Sequence, residues 1–198
     1  MKNLLLTTVM FIFITSMSYA QFGVRLGANM ANFSVDDDVE YKSKLGFSAG
    51  VFYKLKAGDK LAIQPELNLV QQGSKLEDDG VDVTLSANYI QIPVLLKYAF
   101  GNAEKTNFFI QAGPYVGIGV GKIKLKSCAG EDCETEEEDF GEETLKSSDF
   151  GLNLGAGVNI NSKLSIDIRY GLGLSDIDSE DDISAKNTAI NLGVGYTF

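Results

Sequence analysis

The sequence predicts an all-β chain folded as an eight-stranded antiparallel up-and-down transmembrane β-barrel, on three observations. Eight segments alternate apolar with polar or small residues at the period of two that strands impose. Each segment is about ten residues long, which a tilted strand needs to cross a bilayer. Short connections (56–60, 100–106, 161–163) interleave with long ones (33–44, 73–87, 122–148, 175–187), as in barrels with turns on one side of the membrane and loops on the other.

Residues 1–20 carry a different signal. Lys2 provides a positive start, Leu4 to Ile14 an apolar run, and Ser18-Tyr19-Ala20 the small residues of a cleavage site. The run is too short to span about 30 Å of hydrocarbon, so a cleaved signal peptide is expected rather than an anchor. One domain, residues 21–198, remains.

Along that domain the first segment sets Phe22, Val24, Leu26, Ala28 and Met30 on one face and Gly23, Arg25, Gly27 and Asn29 on the other. The second places Leu45, Phe47, Ala49, Val51, Tyr53 and Leu55 opposite Gly46, Ser48, Gly50, Phe52 and Lys54. The third opposes Leu61, Ile63, Pro65, Leu67 and Leu69 to Gln64, Glu66 and Asn68; the fourth opposes Ile90, Ile92, Val94, Leu96 and Tyr98 to Tyr89, Gln91, Pro93 and Lys97. Pro65 and Pro93 cannot donate to a ladder, and each is expected at a bulge or near a strand end. The fifth runs from Phe108 to Val120, with its even-numbered positions apolar. Phe150 to Val158, Leu164 to Leu172 and Ile190 to Phe198 complete the set, each alternating with Gly, Asn, Ser, Asp, Arg or Thr.

Alternation alone also fits a soluble secreted barrel of lipocalin type, with its apolar face turned inward to bind an apolar ligand. Three features favour the membrane form. The polar face is rich in Gly, Asn and Ser, which suits a cramped lumen. Connection lengths alternate strictly, and the chain ends on an apolar-face aromatic, Phe198. With the N-terminus in the periplasm, every long connection is extracellular, and the four together hold 22 of the 27 acidic residues. Those runs read as solvated loops, because charge in lipid is expensive.

Composition excludes several functions. A net charge of −10 argues against nucleic acid, which requires clustered cations. With no His among 198 residues, Ser-His-Asp and Cys-His catalysis and His-ligated zinc are absent. No carboxylate or lysine constellation for catalysis replaces them, so no enzyme and no cofactor are expected. Asp176, Asp178 and Glu180 begin like a calcium loop, but Asp181 replaces the turn glycine and Asn187 the bidentate Glu, so no metal site is expected there.

Two stretches, LAIQPELNLVQQG (Leu61 to Gly73) and NYIQIPVLLKY (Asn88 to Tyr98), resemble paired strands of the PorT-like outer-membrane β-barrel family. Gly113-Pro114-Tyr115-Val116-Gly117, DFGLNLGAGV from Asp149 and the ending GVGYTF resemble its later strands. The resemblance covers essentially the whole of 21–198. It implies an eight-stranded outer-membrane barrel and no enzyme; the member that names the family takes part in a protein-secretion apparatus.

The candidate functional residues follow from strand parity. Arg25, Lys54, Glu66, Lys97, Asp167 and Arg169 face the lumen, where ion pairs and hydrogen bonds should link them. They form either a polar core that fixes register or a narrow passage for small anions. Lys122, Lys124 and Lys126 continue the lipid-facing parity beyond the hydrocarbon, placed either to contact lipopolysaccharide phosphates or to balance the acidic connection beside them. Cys128 and Cys133, in one connection of an exported chain, are expected to form a disulfide. Tyr196 and Phe198 would form the C-terminal signal for the barrel-assembly machinery. Expected partners are outer-membrane lipid and lipopolysaccharide, with other envelope or secretion proteins as further candidates, around a monomer.

Overall fold

The computed structural model describes residues 20–35, 42–78, 81–101, 106–130, 132–141, 145–176 and 185–198. The expected signal peptide, apart from Ala20, lies outside the described residues, as do the acidic positions in 36–40, 178–182 and 142–143. The strands are β1 (Ala20–Val35), β2 (Lys42–Lys56), β3 (Leu61–Asp78), β4 (Val81–Phe100), β5 (Asn107–Ala129), β6 (Asp132–Glu138), β7 (Ser148–Asn159), β8 (Leu164–Gly173) and β9 (Ala185–Thr197).

Eight of them close an antiparallel ring, β1-β2-β3-β4-β5-β7-β8-β9, with β9 returning to β1. A closed ring leaves no unpaired edge, which is what allows strands to sit in lipid. At the seam the Phe198 N–H donates to the Phe22 carbonyl at 2.9 Å.

The apolar face points outward. Leu26 (64% exposed), Phe108 (68%) and Leu192 (57%) are bare, whereas Arg25, Glu66, Lys97, Asp167 and Arg169 are buried inside. This polarity is the reverse of what a lipocalin-type barrel requires. Exposed aromatics gather near the short connections: Phe22 stacks on Phe198 at 5.8 Å, Tyr98 meets Phe100 at 5.1 Å, and Tyr196 meets Phe198 at 5.4 Å. They make the aromatic girdle that marks a membrane–water interface.

Three features differ from the sequence expectation. The connection 73–87 is strand over most of its length: β3 and β4 stay paired from Leu61↔Tyr98 up to Asp78↔Val81, helped by Lys75 and Asp82 at 3.2 Å. The connection 122–148 likewise carries the top of β5 and the added strand β6, which pairs with β5 from Ile123↔Glu138 to Ala129↔Asp132 and stands outside the ring. Beyond the hydrocarbon both faces of a strand can be polar, so the period of two disappears there. Lastly, Pro65 and Pro93 stand in mid-strand without a bulge. Pairing lapses between Pro65↔Val94 and Asn68↔Gln91 and resumes in unchanged register, because the rungs on either side hold it.

Two irregularities do interrupt the wall: between Ser43↔Ser74 and Ser48↔Val70, β2 spends one more residue than β3, and a larger one lies in β5. Between Ser86↔Lys124 and Asn88↔Val120, β5 spends two more residues than β4, with Gly121 at φ 74° in the left-handed region that glycine accepts freely. An insertion of two leaves parity unchanged. Ile123 is therefore buried inside while Lys122, Lys124 and Lys126 remain exposed.

Candidate functional site

Strand parity brings Arg25 from β1, Glu66 from β3, and Asp167 and Arg169 from β8 to one level of the lumen. Arg25 donates to Asp167 through Nη2 at 2.7 Å and Nε at 3.2 Å. Arg169 donates through Nε to the same carboxylate at 2.7 Å, and forks onto Glu66 at 2.7 and 3.0 Å. Gln64 and Asn68 complete Glu66 at 2.7 and 2.9 Å. Two guanidiniums and two carboxylates thus make a neutral, multiply bonded chain across the barrel. Such geometry is required if buried charges are not to be ruinous.

Glycines make room for this chain. A Cβ at Gly193 would collide with the Arg25 guanidinium, and one at Gly50 with the Asn68 amide. Gly193→Val should therefore push Arg25 off Asp167 and lower unfolding free energy by about 1–3 kcal/mol, read by urea titration of the lipid-reconstituted barrel.

Beneath the chain, toward the short connections, lies a cavity of about 500 Å³. It is lined by the cations Lys54, Lys56, Lys60, Lys97, Lys163, Arg25 and Arg169, against the carboxylates Asp59 and Asp167. Lys54 and Lys97 do not join the ion-pair chain. Among the described residues neither has a carboxylate within 4 Å, and the Lys97 ammonium sits 3.4 Å above the centroid of the buried Phe109 ring. A pocket of about 40 Å³ lies on the other side, and Arg25 and Arg169 border both spaces. The guanidiniums therefore form a partition between them.

Toward the long connections the lumen is closed by groups the sequence reading did not single out. Tyr89, fully buried, meets Phe140 edge-on at 5.5 Å over a cluster of Ala87, Ile123 and Leu145. Below it Asp149 accepts from Tyr115 at 3.2 Å, Ser175 at 3.0 Å and Asn187 at 3.1 Å. Phe140 reaches inward from the stretch after β6, over Gly119, and the Gly119 N–H donates to Ser147 at 2.6 Å. An isolated Phe and Leu within an acidic run were the available signal.

Outside, Lys124 pairs with Glu137 of β6 at 2.9 Å, both half exposed, and this hydrogen bond holds the Glu137 carboxyl below its ordinary range. Lys126 stands opposite Thr135. Cys128 and Cys133 form a disulfide across the β5–β6 hairpin. The loop it closes is short, worth about 2 kcal/mol in loop-closure entropy, and lies at the far tip of β5, beyond the rungs that β5 shares with β7. Replacing both cysteines with Ser should leave the barrel's resistance to heat in detergent unchanged while raising protease cleavage between 130 and 138.

Solved structures with similar backbones include outer-membrane proteins of low identity. The outer membrane protein OprG of Pseudomonas aeruginosa has a TM-score of 0.53 at 14% identity, over 90% of this chain and 96% of its own. Neisserial surface protein A scores 0.49 at 16% identity and Ail, the attachment invasion locus protein of Yersinia pestis, 0.47 at 19%, each over 90% of this chain and 99% of its own. No curated protein matches the sequence. The model of the outer membrane protein β-barrel domain matches residues 14–179, most of the sequence, and the chain is a member of that family.

Proposed function

We propose that this barrel is a non-enzymatic, monomeric wall element of the bacterial outer membrane, exported by a signal peptide over residues 1–20, with its N-terminus periplasmic. Its work is done by the long-connection face in surface interaction or a secretion-linked assembly. One observation carries this reading. The lumen is crossed by the Arg25–Asp167–Arg169–Glu66 chain, while the β5–β6 hairpin rises beyond the ring with all seven residues of β6 exposed. A blocked interior with an elaborated rim suits recognition rather than transport. Placement in the PorT-like branch rests on the segments around Gln64-Pro65-Glu66 and Tyr89 to Tyr98.

The rival reading, a narrow pore for small solutes, is tested by planar-bilayer recording of the reconstituted full-length mature barrel. No discrete current steps are expected; steps that change selectivity on Arg25→Gln would establish the pore. Lys122, Lys124 and Lys126 are read as the outer contact for lipopolysaccharide, since Lys122 and Lys126 extend the exposed row beyond the Lys124–Glu137 pair. Changing all three to Gln should reduce the lipopolysaccharide that co-purifies. Tyr196 and Phe198 are read as the element recognised during barrel assembly, being bare aromatics at the end of the closing strand.

A further inference from the structure

We propose that the cavity at the short-connection mouth is a binding site for a small phosphate-bearing anion. The charge balance points there first. In a chain with 27 acidic and 17 basic residues, the described residues gather seven cations around one space, against two carboxylates. One of those carboxylates, Asp167, is already taken by both arginines. Lys97 is 6% exposed, with an aromatic face and no carboxylate beside it, and Lys54 enters the same space from the neighbouring wall. Ammonium groups drawn out of water demand a counter-charge, and among the described residues no carboxylate pairs with either of these two: Asp167 and Glu66 act on Lys97 only from beyond 4 Å and are committed to the arginines.

The shape selects a bound solute over a passing one. About 500 Å³ falls within the range of small-molecule pockets, and the guanidinium partition closes the inner end. The chemistry selects phosphate over a simple carboxylate. The planar forks of Arg25 and Arg169, which would suit a carboxylate, are occupied by Asp167 and Glu66. The groups left are ammoniums on separate strands and turns: Lys54 and Lys97 within, Lys56, Lys60 and Lys163 toward the rim. Point charges converging from several directions match a tetrahedral, multiply charged acceptor.

The test uses the folded mature barrel in zwitterionic detergent, with inorganic pyrophosphate as probe in titration calorimetry. One-to-one binding of roughly millimolar affinity or better is expected, weakening as sodium chloride rises. Lys54→Gln and Lys97→Met should each weaken it by about tenfold or more, while Lys186→Gln, at an exposed position on the long-connection end of β9, should bind as the parent does. Heat-modifiable gel mobility confirms folding. Should Lys97→Met fail to fold, the half-buried Lys54→Gln decides alone. Displacement by glycerol phosphate would identify a free solute, and displacement by short-chain phosphatidylglycerol alone a lipid headgroup; either supports the phosphate site. No pyrophosphate binding, or binding indifferent to Lys54 and Lys97, overturns it.

Discussion

Asp167→Asn should be the most damaging single change inside the barrel, costing about 3–5 kcal/mol of unfolding free energy. Asp167 is 3% exposed and receives three hydrogen bonds at 3.2 Å or less from two arginines. The amide keeps the shape and removes the charge. Arg25 and Arg169 are then buried facing each other with Glu66 alone to balance them. Urea titration in phosphatidylcholine vesicles, followed by the heat-modifiable gel band, reads the loss. A second variant tests the cause. Arg25→Leu combined with Asp167→Leu leaves the forked Arg169–Glu66 pair electrically balanced and should recover more than half of the stability. A cost below about 1 kcal/mol for Asp167→Asn would mean that the cluster behaves as a surface pair bathed in water.

How much of this was legible in the sequence varied with distance from the hydrocarbon. Inside the membrane each strand has one wall in lipid and one in the lumen, so Leu26 and Arg25 declare opposite faces from sequence alone. Parity also placed Arg25, Lys54, Glu66, Lys97, Asp167 and Arg169 inside. It could not say who pairs with whom. Arg169 and Glu66 are 103 residues apart and meet only through the stagger of the closed ring. The same stagger separates Lys54 and Lys97 from the ion pairs that their sign would have suggested. Above the hydrocarbon the contrast fails, and the β3–β4 extension and β6 read as acidic loops although they are paired strands. The closure of the lumen by Phe140, Tyr89 and Asp149 was hidden for a related reason: Phe140 comes from outside any alternating segment, and Asp149 is the second residue of β7, where segment and connection meet.

The second large effect concerns the outer wall. Leu26→Arg is expected to destabilise the reconstituted barrel by about 2–4 kcal/mol. Leu26 is 64% exposed, between Ala49 on β2 and Val194 on β9. It stands two outward rows from the girdle residue Phe22 and two from Met30, so a guanidinium placed there must reach across half the apolar band to find water. Phe100→Arg, on the girdle itself, should cost only about 0–1 kcal/mol, since its head can snorkel into the interface. The contrast between these two positions, measured by urea titration in the same vesicles, reports depth in lipid. On a barrel surrounded by water both arginines would be surface substitutions within about 0.5 kcal/mol of neutral. Equal, small costs would therefore remove lipid as the reason that the apolar side chains point outward.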